Sequence, residues 1–191
     1  MQVNVYDFDN TIYDGESVFD FYIFLLARDF SLIKLLPEVL GVYLKYKRCV
    51  ITGEELMAKA EQYSAEIMEK FPNMTELVSK FWDKNQRKIK KFYLENQRED
   101  DVILSASCGF LIRDVCRRLG IKNVLASEFD TKTGKITRVC FAHTKPDVFK
   151  ENFPDSEIEN FYTDSLNDRP MFALSKNVYM VKGNRIRRVK K

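Results

Sequence analysis

The sequence predicts an α/β protein: a largely parallel sheet covered by helices on both faces, with an all-helical segment inserted after the first strand. Three observations carry this reading. A run of β-formers, Val3, Val5 and Tyr6, opens the chain and leads into Asp7 and Asp9. Beyond Asp100, short apolar runs alternate with helical stretches, the pattern of parallel strands joined by right-handed crossovers. Between these parts, residues 16 to 95 show helical periodicity alone. The expected division is a core of residues 1–15 and 96–191 and a helical cap domain of residues 16–95.

Taken in order, alternation along the first strand puts Asp7 and Asp9 on one face at its carboxyl end, where open α/β sheets bind ligands. Two like charges this close repel unless a shared proton or a cation relieves them. A hard divalent ion such as Mg2+ prefers such oxygen ligands. An exposed acidic strand-to-turn junction is the plain alternative from these residues alone. Asp14-Gly15 signals a turn. Residues 17–27 and 30–44 are strongly apolar, yet neither stretch reaches the roughly 18 uncharged residues of a membrane span, so both read as packed helices.

Thr52 is placed to cap the next helix, with Glu55 completing a capping box and Leu56, Ala60, Tyr63 and Ile67 at helical spacing. Phe71-Pro72-Asn73 breaks that pattern, and a further helix begins at Thr75. Lys84, Arg87, Lys88, Lys90 and Lys91 surround Ile89 and read as a solvated helix face, while Trp82 reads as packing. Residues 101–104 predict the second strand, ending in Ser105-Ala106-Ser107, and residues 109–119 a helix stopped by Gly120. Residues 123–126 form the next strand, and residues 131–135 a hairpin turn with 136–141 returning. Pro146 suits the first turn of a helix opening at Lys145. Residues 159–163 are a further core strand, followed by the acidic loop 164–168, a helix from Pro170 and a last strand at 178–181. The sum is a Rossmann-like three-layer core.

Composition narrows the partners. Thirty-one basic residues against 28 acidic give a net charge of +3, too mild to argue for nucleic acid. Cys49, Cys108, Cys116 and Cys140 form no CxxC pair and read as reduced thiols of a cytoplasmic protein. The chain enters a strand at once, so no signal peptide is expected.

Asp7 with Asp9, Ser105, Lys145 and Asp164 with Asp168 therefore stand at or near the carboxyl ends of successive strands, which converge on one crevice. Several carboxylates, one lysine and one hydroxyl are an inventory for Mg2+-assisted phosphoryl transfer. The metal and Lys145 would neutralise phosphate charge, Ser105 would donate a hydrogen bond, and one aspartate would attack phosphorus.

These residues resemble the haloacid dehalogenase superfamily on all four of its motifs, in order. Asp7-Phe8-Asp9-Asn10-Thr11 matches DxDxT, Leu104-Ser105 the hydrophobic run ending in Ser or Thr, Lys145 the lone lysine, and the stretch 162–168 the acidic DxxxD form. The resemblance implies a Mg2+-dependent phosphatase with Asp7 as nucleophile and Asp9 as general acid and base. It implies that Asp7, Asp164 and the Asp9 carbonyl hold the metal, with Asp168 in support. It places Thr11, Ser105 and Lys145 on the phosphate, with Glu16, Ala106 and Asn167 also on the substrate side. An acid at Asp9 marks a phosphatase pattern within the superfamily. The insertion lies where the phosphoserine-phosphatase-like branch carries its helical cap. Ser105-Ala106-Ser107 departs from the Ser-Gly-Gly of phosphoserine phosphatase and is closer to the Ser-Ala-Ser of a group that includes phosphatidylglycerophosphate phosphatases.

The expected partner is a small phosphomonoester. The apolar residues 19–26 and 32–44, with basic Arg185, Arg187, Arg188, Lys190 and Lys191, keep open a peripheral membrane enzyme acting on a phospholipid head group, although cap packing is the favoured account of the apolar faces. A catalytically silent binding protein on the same fold is the other alternative. His143 reads as a bystander near Lys145, and nothing around Cys108 signals an activated thiolate.

Overall fold

The computed structural model describes residues 1–47, 50 and 53–189. Cys49, Thr52 and the capping box expected at Thr52 lie outside the described residues. The first strand, β1 (Gln2–Tyr6), is followed by α1 (Ser17–Leu26), a 3-10 segment (Phe30–Leu35), α2 (Leu36–Lys47), α3 (Gly53–Lys70), α4 (Met74–Asn85) and α5 (Lys91–Asn96). Then come β2 (Val102–Cys108), α6 (Gly109–Arg118), β3 (Asn123–Phe129), β4 (Ile136–Arg138), α7 (Lys145–Asn152), β5 (Glu157–Thr163), α8 (Arg169–Phe172), β6 (Ser175–Lys182) and β7 (Arg185–Val189).

The strands form one sheet in the order β4-β3-β2-β1-β5-β6-β7. β1 lies between β2 and β5 and runs parallel to both, β3 and β6 extend the parallel set outwards, and β4 and β7 pair antiparallel at the edges. The central strand is buried from both sides, with Val3 and Val5 fully inaccessible, as a strand between helical layers must be. The pleat sorts its residues. Val3 and Val5 join Val102, Leu104, Phe149, Ile158, Phe161 and Met171 under α7 and α8. Tyr6 and Ile103 face the opposite cluster with α4, α5 and α6.

That second cluster continues without a break into the inserted helices. Phe8, Ile12 and Tyr13 pack with Phe21, Tyr22, Leu25, Phe81 and Trp82. Trp82 meets Phe8, Tyr13 and Phe81 edge to face and donates from Nε1 to the Leu111 carbonyl at 2.7 Å, which closes its one polar group inside the core. No described helix is long and apolar enough to cross a membrane.

Three expectations changed. Residues 84–91 are not one solvated face: α4 ends at Asn85, Gln86–Lys88 is a 3-10 turn, and Lys90 is buried. Lys90 Nζ donates to the Asn10 carbonyl and, at 3.0 Å, to that of Gly183, so the loop after β1 is strapped to the far edge of the molecule. Arg185–Val189 of the basic tail form an edge strand, β7, whose side chains are mostly turned to solvent, so charge hid it in the sequence; Lys190 and Lys191 lie outside the described residues. Finally, the predicted return strand of residues 136–141 is shorter, ending at Arg138.

Candidate active site

The turn after β1 builds the centre of the site. Phe8 carbonyl accepts from Thr11, Ile12 and Tyr13 amides, and Asn10 takes a left-handed φ of 54°, a conformation asparagine tolerates better than most residues. Gly15 closes the turn at φ 143°, a backbone conformation that strains any residue with a Cβ. The result aims Asp7 and Asp9 into a cavity of about 290 Å3 between the carboxyl ends of the central strands and helices α1, α2 and α3. Ser105, Ala106, Lys145, Asp164 and Asp168, all singled out in the sequence, line the same cavity, and Glu16 stands in its wall.

Lys145 enters from the first turn of α7, behind Pro146. Its Nζ lies 3.0 Å from Asp7 Oδ1 and 2.8 Å from Asp168 Oδ1, with all three side chains almost entirely buried. Asp168 Oδ2 accepts from Thr163 Oγ1 at 2.7 Å, so both of its oxygens are engaged. Burial works against the Lys145 charge, but Asp168 and Asp7 outweigh it and hold the ammonium pKa above its ordinary value. Burial drives Asp7 the other way: its pKa is pushed well above the carboxylate range, Lys145 opposing and Asp168, Asp164 and Asp9 adding to the rise.

Asp9 is held differently. Its Oδ1 accepts from the Ser17 amide at 2.7 Å, the first N–H of α1, and its Oδ2 accepts from Ser107 Oγ. Ser107 Oγ lies 3.2 Å from Ser17 Oγ, and its own amide donates to Ser105 Oγ at 3.1 Å. Burial, then the charge of Glu16, push the Asp9 pKa up to about 6, while Ser107 and Ser17 pull it down. A carboxyl poised near neutrality can give and take a proton there.

Two expected residues are not brought to the cavity. Thr11 is fully buried inside the turn, with Oγ1 lacking a hydrogen-bond partner, because the 8–13 turn folds its side chain into the core. Asn167 sits in the 3-10 turn after β5, its amide donating to Ser165 Oγ, and it is not part of the cavity wall. His143 is exposed and also outside the wall. Cys108 does border the cavity, yet burial and then Asp9 push its thiol up to about 12, so it stays protonated. Sequence reasoning missed Ser17 and Ser107. Ser107 stands in the Ser105-Ala106-Ser107 stretch, but its hydrogen bond to Asp9 spans 98 residues, and Ser17 acts through its backbone amide, which no residue type marks.

Hard oxygen donors suit the centre. Asp7, Asp9, Asp164 and Asp168 place up to four negative charges around one ammonium, an excess that a divalent cation would relieve. Mg2+ takes one or two carboxylates and completes its shell with water and phosphate, so Asp7 and Asp164 with a carbonyl suffice as its protein donors.

Helices on both faces of a mainly parallel sheet, with acidic groups and a lysine at its carboxyl edge, define an α/β protein with a charged crevice. The family model of haloacid dehalogenase-like hydrolases matches residues 5–173, and the chain belongs to that family. Among curated proteins, none matches the sequence. Among solved structures, a Bordetella pertussis Tohama I protein of unknown function is similar at 16% identity and a TM-score of 0.71, over 90% of this chain and 86% of that one. A phosphoserine phosphohydrolase-like protein from Francisella tularensis subsp. tularensis SCHU S4 aligns at 15% identity and 0.61, over 93% and 86%. A phosphoserine phosphatase captured as a phospho-aspartyl intermediate analogue aligns at 15% and 0.56, over 93% and 84%. At these identities the likeness is one of fold.

Proposed function

We propose that this protein is a Mg2+-dependent phosphatase that hydrolyses a small phosphomonoester through an aspartyl-phosphate on Asp7. The observation that carries the reading is the pairing of two unlike carboxylates in one cavity. Asp7 is fixed beside Lys145, and Asp9 is held by a helix N-terminus and a serine with a pKa near 6.

In the first step an Asp7 oxygen attacks phosphorus, the bond to the alcohol oxygen breaks, and Asp9 gives that oxygen its proton. In the second, Asp9 takes a proton from water, the water oxygen bonds to phosphorus, and the Asp7–phosphorus bond breaks. Phosphate leaves, and both carboxyl groups return to their starting states. Lys145 and Ser105 would hold the phosphoryl oxygens. Asp7, Asp164 and the Asp9 carbonyl would hold Mg2+, which when bound supplies positive charge to the transferring group. Asp168, engaged with Lys145 and Thr163, supports the lysine and only indirectly the metal. Helices of residues 16–95 would act as a cap that excludes water and selects the alcohol. The free thiols Cys108, Cys116 and Cys140 support a cytoplasmic setting.

The test is phosphate release from an aryl phosphate, phosphoserine, a sugar phosphate and a nucleotide, with Mg2+ and with EDTA, on wild-type and Asp7→Asn protein. Release that needs Mg2+ and vanishes in Asp7→Asn is expected. Release that survives either change would overturn the mechanism.

A further inference from the structure

Above its acidic floor the cavity changes character. Its upper wall comes from α1, α2, α3 and the 108–111 segment and is built of side chains such as Phe21, Leu25, Ile67, Met68 and Leu111. Lys145 is the only cationic residue in the described wall, and it is already shared by Asp7 and Asp168. The few polar groups higher up are turned away. Tyr22 OH donates to the Leu32 carbonyl at 2.5 Å, Tyr63 OH to Glu38 Oε2 at 2.8 Å, and Ser64 Oγ to the Gly134 carbonyl at 2.6 Å. Each hydroxyl is spent on another residue's carbonyl or carboxylate, so the tyrosines and serine offer mainly carbon to the cavity.

We infer that the alcohol esterified to phosphate is apolar, an alkyl, prenyl or aryl group without charge or multiple hydroxyls. The inference rests on the phosphatase reading and adds to it the chemistry of the leaving group. A substrate carboxylate would meet no free cation among the described residues. Sugar or nucleoside hydroxyls would give up water for a wall that, above the acidic floor and among the described residues, is mostly carbon, with the Tyr22, Tyr63 and Ser64 hydroxyls already engaged. An aliphatic chain loses nothing by entering and gains by leaving water. Met68 and Met74, flexible and polarizable, let one wall accept chains of differing shape.

The test is the rate on ethyl, butyl and octyl phosphate, each kept monomeric, beside phosphoserine and glycerol phosphate. kcat/KM should climb about threefold to fourfold for each methylene the wall buries, so that octyl exceeds ethyl phosphate by at least about tenfold. A flat series, or a preference for phosphoserine or glycerol phosphate, overturns the inference. Ile67→Gln, at a half-buried wall position, should lower the octyl-to-ethyl ratio several-fold; an unchanged ratio places the chain elsewhere and overturns it. Calorimetric binding of octylphosphonate against ethylphosphonate separates the two readings. If no ester is cleaved, the phosphatase reading fails, yet octylphosphonate binding at least about tenfold tighter sustains the apolar site, and equal binding ends it. Dodecyl phosphate in phosphatidylcholine vesicles, set against free octyl phosphate, tells whether the apolar alcohol is taken from a bilayer or from solution.

Discussion

Lys145 Nζ lies 2.8 Å from Asp168 Oδ1, and both side chains are nearly inaccessible to solvent. A buried pair is weak evidence for net stability, but removing one partner is costly because the other charge is left uncompensated. Here the same ammonium also offsets Asp7. Lys145→Met should therefore cost about 3–5 kcal/mol in urea unfolding at pH 7. Adding Asp168→Asn to that variant should recover part of the loss. A single variant within 1 kcal/mol of wild type, on the order of an exposed pair, would show that the pair is effectively solvated.

Glu16 and Ser107 act on Asp9 with opposite signs. The Glu16 charge raises the Asp9 pKa and the Ser107 hydrogen bond lowers it. An acid is active only while protonated, so kcat/KM should decline on the alkaline side of the Asp9 pKa, near 6 in the protein without metal. Glu16→Gln should move that limb to lower pH, and Ser107→Ala should move it to higher pH. Both limbs moving the same way would separate the limb from Asp9. Asp9→Asn should cost roughly 10²–10⁴-fold in kcat.

Asp101 gives a pH signature in stability rather than rate. It is buried just before β2, with Oδ2 accepting from the Arg98 amide at 2.8 Å. Burial is the main reason its pKa rises to about 6. The folded state then binds this proton more tightly than the unfolded chain. Its contribution is present below pH 4 and is lost as pH climbs through 6. Asp101→Asn should gain on wild type by about 1 kcal/mol between pH 4.5 and pH 7.5 in denaturant unfolding. A difference that does not vary with pH would mean the carboxyl titrates normally.

Binding of Mg2+ can be read without turnover. A ligand that prefers the folded state raises its melting temperature. Millimolar Mg2+ should raise that of wild type by a few degrees and have little effect on Asp164→Asn. Equal shifts in the two proteins would take Asp164 out of the metal's reach.

Much of the core was legible from local pattern. β-formers before Asp7, the run before Ser105 and the run before Asp164 are buried parallel neighbours in the sheet, because a strand covered on both faces must be apolar. The residues at or near those strand ends share one cavity for the same topological reason. Register was not legible. Asn4, Asn160 and Asn177 align across three strands and bond side chain to side chain, while Tyr6, Tyr162 and Tyr179 stack beside them at 4.5 and 4.8 Å. Each looks like an ordinary strand residue until its neighbours are known.

By itself the sequence determined the fold class, the strands that bear the acidic groups and the chemical inventory, since these follow from hydrophobic period and residue type. Only the tertiary structure decided how that inventory is wired. It put Asp168 behind Lys145, turned Thr11 into the core, buried Lys90 beneath the loop and brought Ser107 and Ser17 to Asp9. Hydrogen bonds and ion pairs act over about 3 Å in space. Residues that meet across ninety or more positions of chain leave no local mark of it.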